Sequence, residues 1–411
     1  MGPLKDVVVL DLSRILAGPW ATQVLADLGA TVIKVERPGE GDDTRRWGPP
    51  WLKDGAGADT AESAYYLGAN RGKRSVAIDF TRPEGADLVR ALARRAHVLV
   101  ENFKVGGLAK YGLDWPSLRA LNPRLVYCSI TGYGQTGPYA QRAGYDAAIQ
   151  AEGGLMSITG EPDGTPGGGP QKVGVAVADL MTGMYAVAGI LAALRHADAT
   201  GEGQQIDLAL LDTQVGWLAN QAMNHLVGGV VPGRQGTAHP NIVPYQVMPA
   251  ADGHFMLAVG NDAQFRRCCA VLGRPEWADD PRFASNAARV AHRAELVPLL
   301  ATELRRRPAR EWLDALSRET VPCAPVNTLD QVFDDPQVRA RGMRIDLPHA
   351  LGGTVPMVGS PLKLSATPVE YRAAPPLLGA DTRAVLREHL GLGDAQVDAL
   401  AAQGVIGIEP P

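Results

Sequence analysis

The sequence predicts an α/β protein of two domains, the larger built on a parallel sheet, and three observations carry that reading. At 411 residues the chain exceeds the size at which one hydrophobic core usually suffices. Short apolar runs alternate with helix-length segments through its first half, the pattern of βαβ units. Near Val227 the texture changes to turns followed by helices, and it changes back near Val321.

Residues 7–12 form a continuous apolar strand with Asp11 just before its end. The segment "SRILAGPWATQVLADLGA" then reads as a turn and a helix, with Pro19 near its start and Gly29 at its C-cap. "TVIKVERPG" is a second strand, ended by Pro38. Strand, helix and strand within about thirty residues imply parallel pairing through a right-handed crossover. The pattern recurs in strand "RSVAIDF", helix 83–96 and strand "HVLVENF", and again in helix 115–121 and strand "RLVYCSI". Residues 132–174 are rich in Gly, Pro and Thr and read as loop. Strand "GQQIDLALLD" and a helix over 213–226 follow. The second domain begins with turn-rich "VVPGRQGTAHPNIVPYQ" and strand "GHFMLAVG", followed by helices over 262–272, 290–307 and 309–319. Afterwards come loop, strand-like "GMRIDLPH" and "GSPLKLS", and two terminal helices separated at Gly391–Gly393.

Composition narrows the function. Hydrophobic residues at 45% and charged residues at 20% describe an ordinary globular protein, and the net charge of -4 offers no broad attraction for nucleic acid or anionic membrane. Four cysteines form no CxxC and no metal-ligand spacing. The start lacks a signal peptide's apolar region, and the best uncharged apolar run, 181–194, stops at Arg195. A cytoplasmic protein without nucleic-acid or membrane partners is expected. GxGxxG, GxSxG and HExxH are absent, and "GANRGKRS" fails the spacing of a Walker A loop.

Two features remain. Basic residues follow several strand ends (Arg14, Arg37, Arg71, Arg74 and Lys104), where open α/β sheets bind ligands and where guanidinium groups suit phosphate oxygens. The other is "KVGVAVADLMTGMYAVAGILAALRH", in which small and β-branched residues give way at Asp179 to helix formers. The plain reading of Asp179 is a helix N-cap. The residues alone thus point to a protein that binds a phosphorylated small molecule, with Asp or Tyr chemistry open.

Longer segments resemble the class III CoA-transferases, the formyl-CoA transferase and carnitine CoA-transferase family. "LDLSRILAGPWATQVLADLGATVIKVERPGEGDDTRRWGPP" looks like the family's opening, followed in family order by "NRGKRSVAIDF", "VENFKVGGLAKYGL", "YCSITGYGQTGPYAQRAGYDAAIQAEGGLMSITG", "VGVAVADLMTGMYAVAGILAAL", "VPCAPVNTLDQVFDDPQV" and "PPLLGADT". The resemblance implies a Rossmann-like large domain from residues 1–226 and 321–411, a smaller α+β domain over 227–320, and an interlocked homodimer. It implies acyl-CoA as substrate, with no tightly bound cofactor and no metal. Asp179, rather than Asp146, matches the family's nucleophile, and small neighbours such as Ala178 and Gly183 would let a thioester approach. Matching positions put the CoA contacts at Arg14, Ile15, Leu16, Ala17, Arg37, Ile78, Asp79, Thr81, Asn102, Phe103, Lys104 and Lys110. Lys110 stands where relatives often carry Arg.

Departures bear on the reaction. Racemases of the superfamily carry "GHD" where this chain has "GYD", and the phenol of Tyr145 is a poor base near neutral pH. Transfer is therefore expected over epimerisation of a 2-methylacyl-CoA; a non-catalytic CoA-binding protein is the remaining alternative. The glycine-rich loop of formyl-CoA transferase is replaced by "GTAHPNIVPYQ", which speaks against formate and oxalate. "RWGPPW", "YYLGANRGKRS" and "GTAHPNIVPYQ" look most like the succinyl-CoA:glutarate (hydroxymethylglutarate) branch. A dicarboxylate needs a cation for its free carboxylate, and Arg71, Arg142 and His239 are the candidates, with residues 142–145 on the acyl side.

Overall fold

The computed structural model of the chain describes residues 2–408. The chain divides into two compact units, one of residues 1–154, 173–219 and 336–411 and one of residues 155–172 and 220–335. The segments 155–172, 220–226 and 321–335 thus group with the second unit.

A seven-stranded sheet organises the first unit: β1 (Val8–Asp11), β2 (Thr31–Glu36), β3 (Lys73–Ile78), β4 (Val98–Glu101), β5 (Val126–Thr131), β6 (Gln205–Ala209) and β7 (Ile406–Gly407). Their spatial order is β7-β3-β2-β1-β4-β5-β6. All pairings are parallel except the short edge strand β7, which runs antiparallel to β3. Without β7 this is the 3-2-1-4-5-6 order of doubly wound nucleotide-binding sheets, whose order reverses beside β1. Neighbouring residues point to opposite faces, so Leu10, Ile33, Val76 and Leu99 join one apolar cluster while Val9, Val32, Val98 and Val126 join the other. Being buried on both faces explains why these strands read as unbroken apolar runs. Each fully buried Val, Leu or Ile contributes roughly 1.5–3 kcal/mol by leaving water.

Three helices matter for the site. Helix α1 (Ala17–Asp27) follows β1 and is buried along most of its length. Further on, the segment 132–174, which reads as loop, contains helix α2 (Asp146–Glu152) and a short turn at Leu155–Ile158. The third helix, α3 (Val177–Thr200), is 24 residues long and apolar enough by length and composition to cross a membrane. Ala186, Ile190 and Ala193 instead pack it into the same apolar cluster as β1, β4 and α1. The extended segment expected before Asp179 forms no strand. Gly183 lets α3 lie close on α1, since a Cβ there would stand 2.7 Å from the Ala17 carbonyl oxygen. Its smallness therefore serves helix packing rather than thioester access.

The first unit also contains two hairpins, Trp51–Lys53 with Asp59–Ser63 and Arg344–Pro348 with Thr354–Val358. "GSPLKLS" forms no strand. The second unit pairs strands Tyr245–Ala250, Gly253–Ala258 and Cys323–Pro325 in an antiparallel sheet, with Phe255, Phe265, Leu296, Leu300 and Trp312 in its core.

Candidate active site

A cavity of about 650 Å³ opens in the first unit beyond the carboxyl ends of β1 to β5. Its lining includes Arg14, Ile15, Leu16 and Ala17 after β1, Arg37 after β2, Ile78, Asp79 and Thr81 at β3, and Asn102, Phe103, Lys104 and Lys110 after β4. Arg142, Tyr145 and Asp179 complete the far side. The sheet's reversal beside β1 thus gathers residues from five strand ends around one space, as expected for this topology.

Basic groups at the rim are held by exposed acids. Arg14 bonds Asp43 at 2.9 Å and lies over the Phe103 ring, while Arg37 bonds Glu40 at 3.2 Å. Arg46, also lining the cavity, approaches the same Glu40 at 3.8 Å; the sequence reading did not single it out. Asp79 accepts from the Thr81 amide and hydroxyl, fixing the turn after β3. Four cations in Arg14, Arg37, Lys104 and Lys110, with Arg46 as a fifth, suit a polyanionic ligand.

Asp179 stands in the first turn of α3, but Ala176 is the N-cap. The capping expected of Asp179 is done by Asp146, whose Oδ1 accepts from the Ala178 and Asp179 amides at 2.8 and 3.2 Å. Asp146 is itself fixed by Gln150, whose Nε2 donates to its other oxygen at 2.6 Å while Gln150 Oε1 accepts from Val173. The helix amides are therefore satisfied by a neighbour, which leaves the partly buried Asp179 carboxyl directed to the cavity. Burial first, then the like charge of Asp146, raises its pKa to about 7, with no hydrogen bond or cation among the described residues opposing them. Both effects act against ionisation, the direction opposite to that of the helix dipole.

Tyr65 was also missed. Its phenol is pushed up by burial and by the charges of Asp179, Asp146 and Asp42, which places it in the same field, and its ring meets Trp47 edge-on at 5.0 Å. Both residues lie in segments whose family likeness was legible, but no local pattern assigned them a role. Arg142 is engaged by Glu152 at 3.1 Å and stacks over Tyr139 and Tyr133, whereas Tyr145 is 68% exposed.

Two expected substrate contacts, Arg71 and His239, are not among the residues lining this cavity. Arg71 is buried, bonds Asp27 through Nε and Nη2 at 2.8 and 2.5 Å, donates to the Val358 carbonyl and does not line the cavity. It ties the loop before β3 to Asp27 at the end of α1. His239 belongs to the second unit, where its ring packs against Tyr245 and its Nδ1 accepts from the Asn241 amide. Burial and the nearby Arg293 lower its pKa, which favours the neutral imidazole. Among the described residues no group of His, Cys, Asp and Glu is arranged to hold a metal ion.

Comparison with known proteins agrees with this architecture. Residues 4–382 match CoA-transferase family III. The chain is 55% identical to the succinate–glutarate CoA-transferase of Agrobacterium fabrum, covering 94% of this chain and 95% of that one. It is 42% identical to the human succinyl-CoA:glutarate CoA-transferase, covering 98% and 90%. The crystal structure of a CAIB/BAIF family protein from Brucella suis superposes with a TM-score of 0.82 at 50% identity, covering 94% of this chain and 99% of that one. With the nucleotide-type sheet and the acidic cavity side chain already in place, these matches settle the family: the chain belongs to CoA-transferase family III and is a class III CoA-transferase.

Proposed function

We propose that the protein moves coenzyme A from succinyl-CoA to glutarate, with Asp179 as nucleophile. The reading is carried by a carboxyl group in the cavity whose own helix is capped by another residue, Asp146. The substrates are those in the names of relatives 55% and 42% identical to this chain.

The Asp179 carboxylate attacks the succinyl thioester carbonyl; the C–S bond breaks and the CoA thiolate leaves, forming a succinyl-aspartyl anhydride. The thiolate then attacks the Asp179 carbonyl, releasing succinate and leaving an aspartyl-CoA thioester. A glutarate carboxylate displaces the thiolate to form a second anhydride, and the thiolate takes the glutaryl group, restoring Asp179. Covalent catalysis divides one difficult exchange into four displacements. Arg14, Arg37, Lys104 and Lys110 hold the CoA phosphates, Ile15 to Ala17 and Asn102 border the thiol arm, and Arg142 with Tyr145 faces the acyl group. His239, on the second unit, remains a candidate partner for the free carboxylate of the dicarboxylate. CoA is a substrate, and no resident cofactor takes part in the steps.

Two further parts of the reading concern assembly and location. The protein works as an interlocked homodimer in the cytoplasm; exposed Met184, Tyr185 and Leu191 on α3 give a second copy apolar surface to cover. The test of function is a carboxylate panel with succinyl-CoA, reading acyl-CoA products by mass spectrometry. Glutaryl-CoA with release of succinate is expected. Proton exchange of a 2-methylacyl-CoA in D₂O without any acceptor would point instead to a racemase.

A further inference from the structure

Ile15 adopts φ +71°, a left-handed conformation that a β-branched side chain disfavours. Such a conformation persists only where the surroundings over-determine it, and here they do. The Ser13 amide donates to Asp11 Oδ1 at 2.9 Å, and the Ser13 carbonyl accepts from Lys34 Nζ at 2.9 Å. Asn102 brackets Arg14, accepting from its amide at 2.9 Å and donating to its carbonyl at 2.6 Å. The Ile15 amide donates to Asp42 Oδ1 at 3.2 Å, while the other Asp42 oxygen pairs with Lys34 at 2.9 Å. Every polar backbone group from the Ser13 amide to the Ile15 amide is therefore held by a side chain.

The holding groups come from β1, β2, the turn after β2 and the residue just after β4, and the side chains of Lys34 and Asp42 are fully buried. A turn serving only to join β1 to α1 would take glycine at position 15 without strain. Ile15 instead lines the cavity together with Lys34, Asp42 and Asn102.

We propose that the Lys34–Asp42 pair and Asn102 are positioning residues, which hold the strained turn at Ile15 in the shape that receives the CoA part of the acyl-CoA. The proposal rests on the reading of this cavity as the acyl-CoA site. The pair acts through the backbone, by fixing where the Arg14 and Ile15 side chains leave the turn.

The test compares Ile15→Gly with Ile15→Ala and adds Asp42→Asn, which keeps an acceptor for the Ile15 amide but discharges the pair. Thermal unfolding and the kcat and KM for succinyl-CoA are measured on each. Ile15→Gly should unfold at a higher temperature than Ile15→Ala, the reverse of the usual order, because only Ala retains the strain. Its KM for succinyl-CoA should nevertheless be about tenfold above that of Ile15→Ala, with kcat changed by less than about threefold. Asp42→Asn should raise KM to a similar extent. Equal KM values for the two Ile15 variants, or an Asp42→Asn protein with lowered unfolding temperature and unchanged KM, would overturn the proposal. Arg37→Ala separates this from the underlying reading: an unmoved KM there contradicts the acyl-CoA cavity itself. A raised KM for Arg37→Ala beside unmoved values for the turn variants contradicts only the positioning role.

Discussion

Asp42 and Asp179 line the same cavity, yet their surroundings treat the charged carboxylate in opposite ways. Burial pushes both upward. At Asp42 the Lys34 ammonium, with its hydrogen bond and two donors from Thr44, overcomes burial and holds the pKa at about 2. At Asp179 burial is joined by the like charge of Asp146, and the pKa stands at about 7. The difference teaches what each group is for: a buried carboxylate with cation and donors supplied is a fixture of the fold. One denied them is kept reactive toward something that arrives later.

Breaking the reactive side has the largest expected effect. Asp179→Asn removes the nucleophile and should lower turnover by at least about a thousandfold, read by succinyl-CoA consumption with glutarate. The same variant should be more stable than the wild type at pH 8. A carboxyl whose folded pKa is raised above its unfolded value costs stability as pH rises from about 4 through 7, and Asn abolishes that cost. The gain, about 4 kcal/mol, should appear in denaturant unfolding at pH 8 and shrink at pH 5, where the folded wild type is protonated. Full residual turnover would end the assignment of Asp179.

The compensated side breaks in the opposite sense. Lys34→Met leaves Asp42 buried beside no cation and should cost about 3–5 kcal/mol, measured by denaturant unfolding at pH 7. In the wild type the lowered Asp42 pKa contributes about 2 kcal/mol that is fully present above pH 4 and is lost as pH falls toward 2. That acid limb should vanish in Lys34→Met. If the variant were as stable as the wild type, Lys34 would not be the compensating group.

Arg71→Ala sharpens the comparison at a third carboxylate. It strands Asp27, whose pKa burial already raises against the help of Arg71. A loss of about 3 kcal/mol is expected, with KM for glutarate unchanged. A raised KM for glutarate with stability intact would return Arg71 to the substrate.

These contrasts also show what a sequence can carry. Strands β1 to β5, α1 and the terminal helices Thr382–Leu390 and Asp394–Ala402 were legible because burial on both faces, caps and glycines write themselves into consecutive residues, and edge strand β6 because its apolar residues alternate with polar ones. Strand β7, Ile406–Gly407, was not, because two residues joining a sheet edge leave no periodicity. Helix α2 was hidden in a glycine-rich stretch, with Ile149 and Gln150 its buried residues. In the site, the cavity residues from Arg14 to Lys110 were placed by family likeness. The partnerships were invisible, since Asp146 caps a helix 32 residues away and Arg71 finds Asp27 across 44. A basic cluster such as Arg71 to Arg74 looks exposed until folding brings its acids: Asp27 to Arg71, Asp11 to Lys73 and Glu388 to Arg74.

One other carboxyl, Glu101, is also raised to about 7, by burial against a Ser129 hydroxyl and the Phe103 amide. It does not line the cavity, and the field of Asp146 does not act on it. This makes the pH dependence of kcat/KM, compared between wild type and Asp146→Asn, the most direct test of the central claim. Asp179 must be ionised to attack, so the wild-type rate should fall as pH drops through about 7. Asparagine keeps an acceptor for the α3 amides but removes the charge, so the limb should move to lower pH by about half a unit to one unit. A wild-type limb near pH 4, or a limb near 7 that Asp146→Asn leaves in place, would contradict the account.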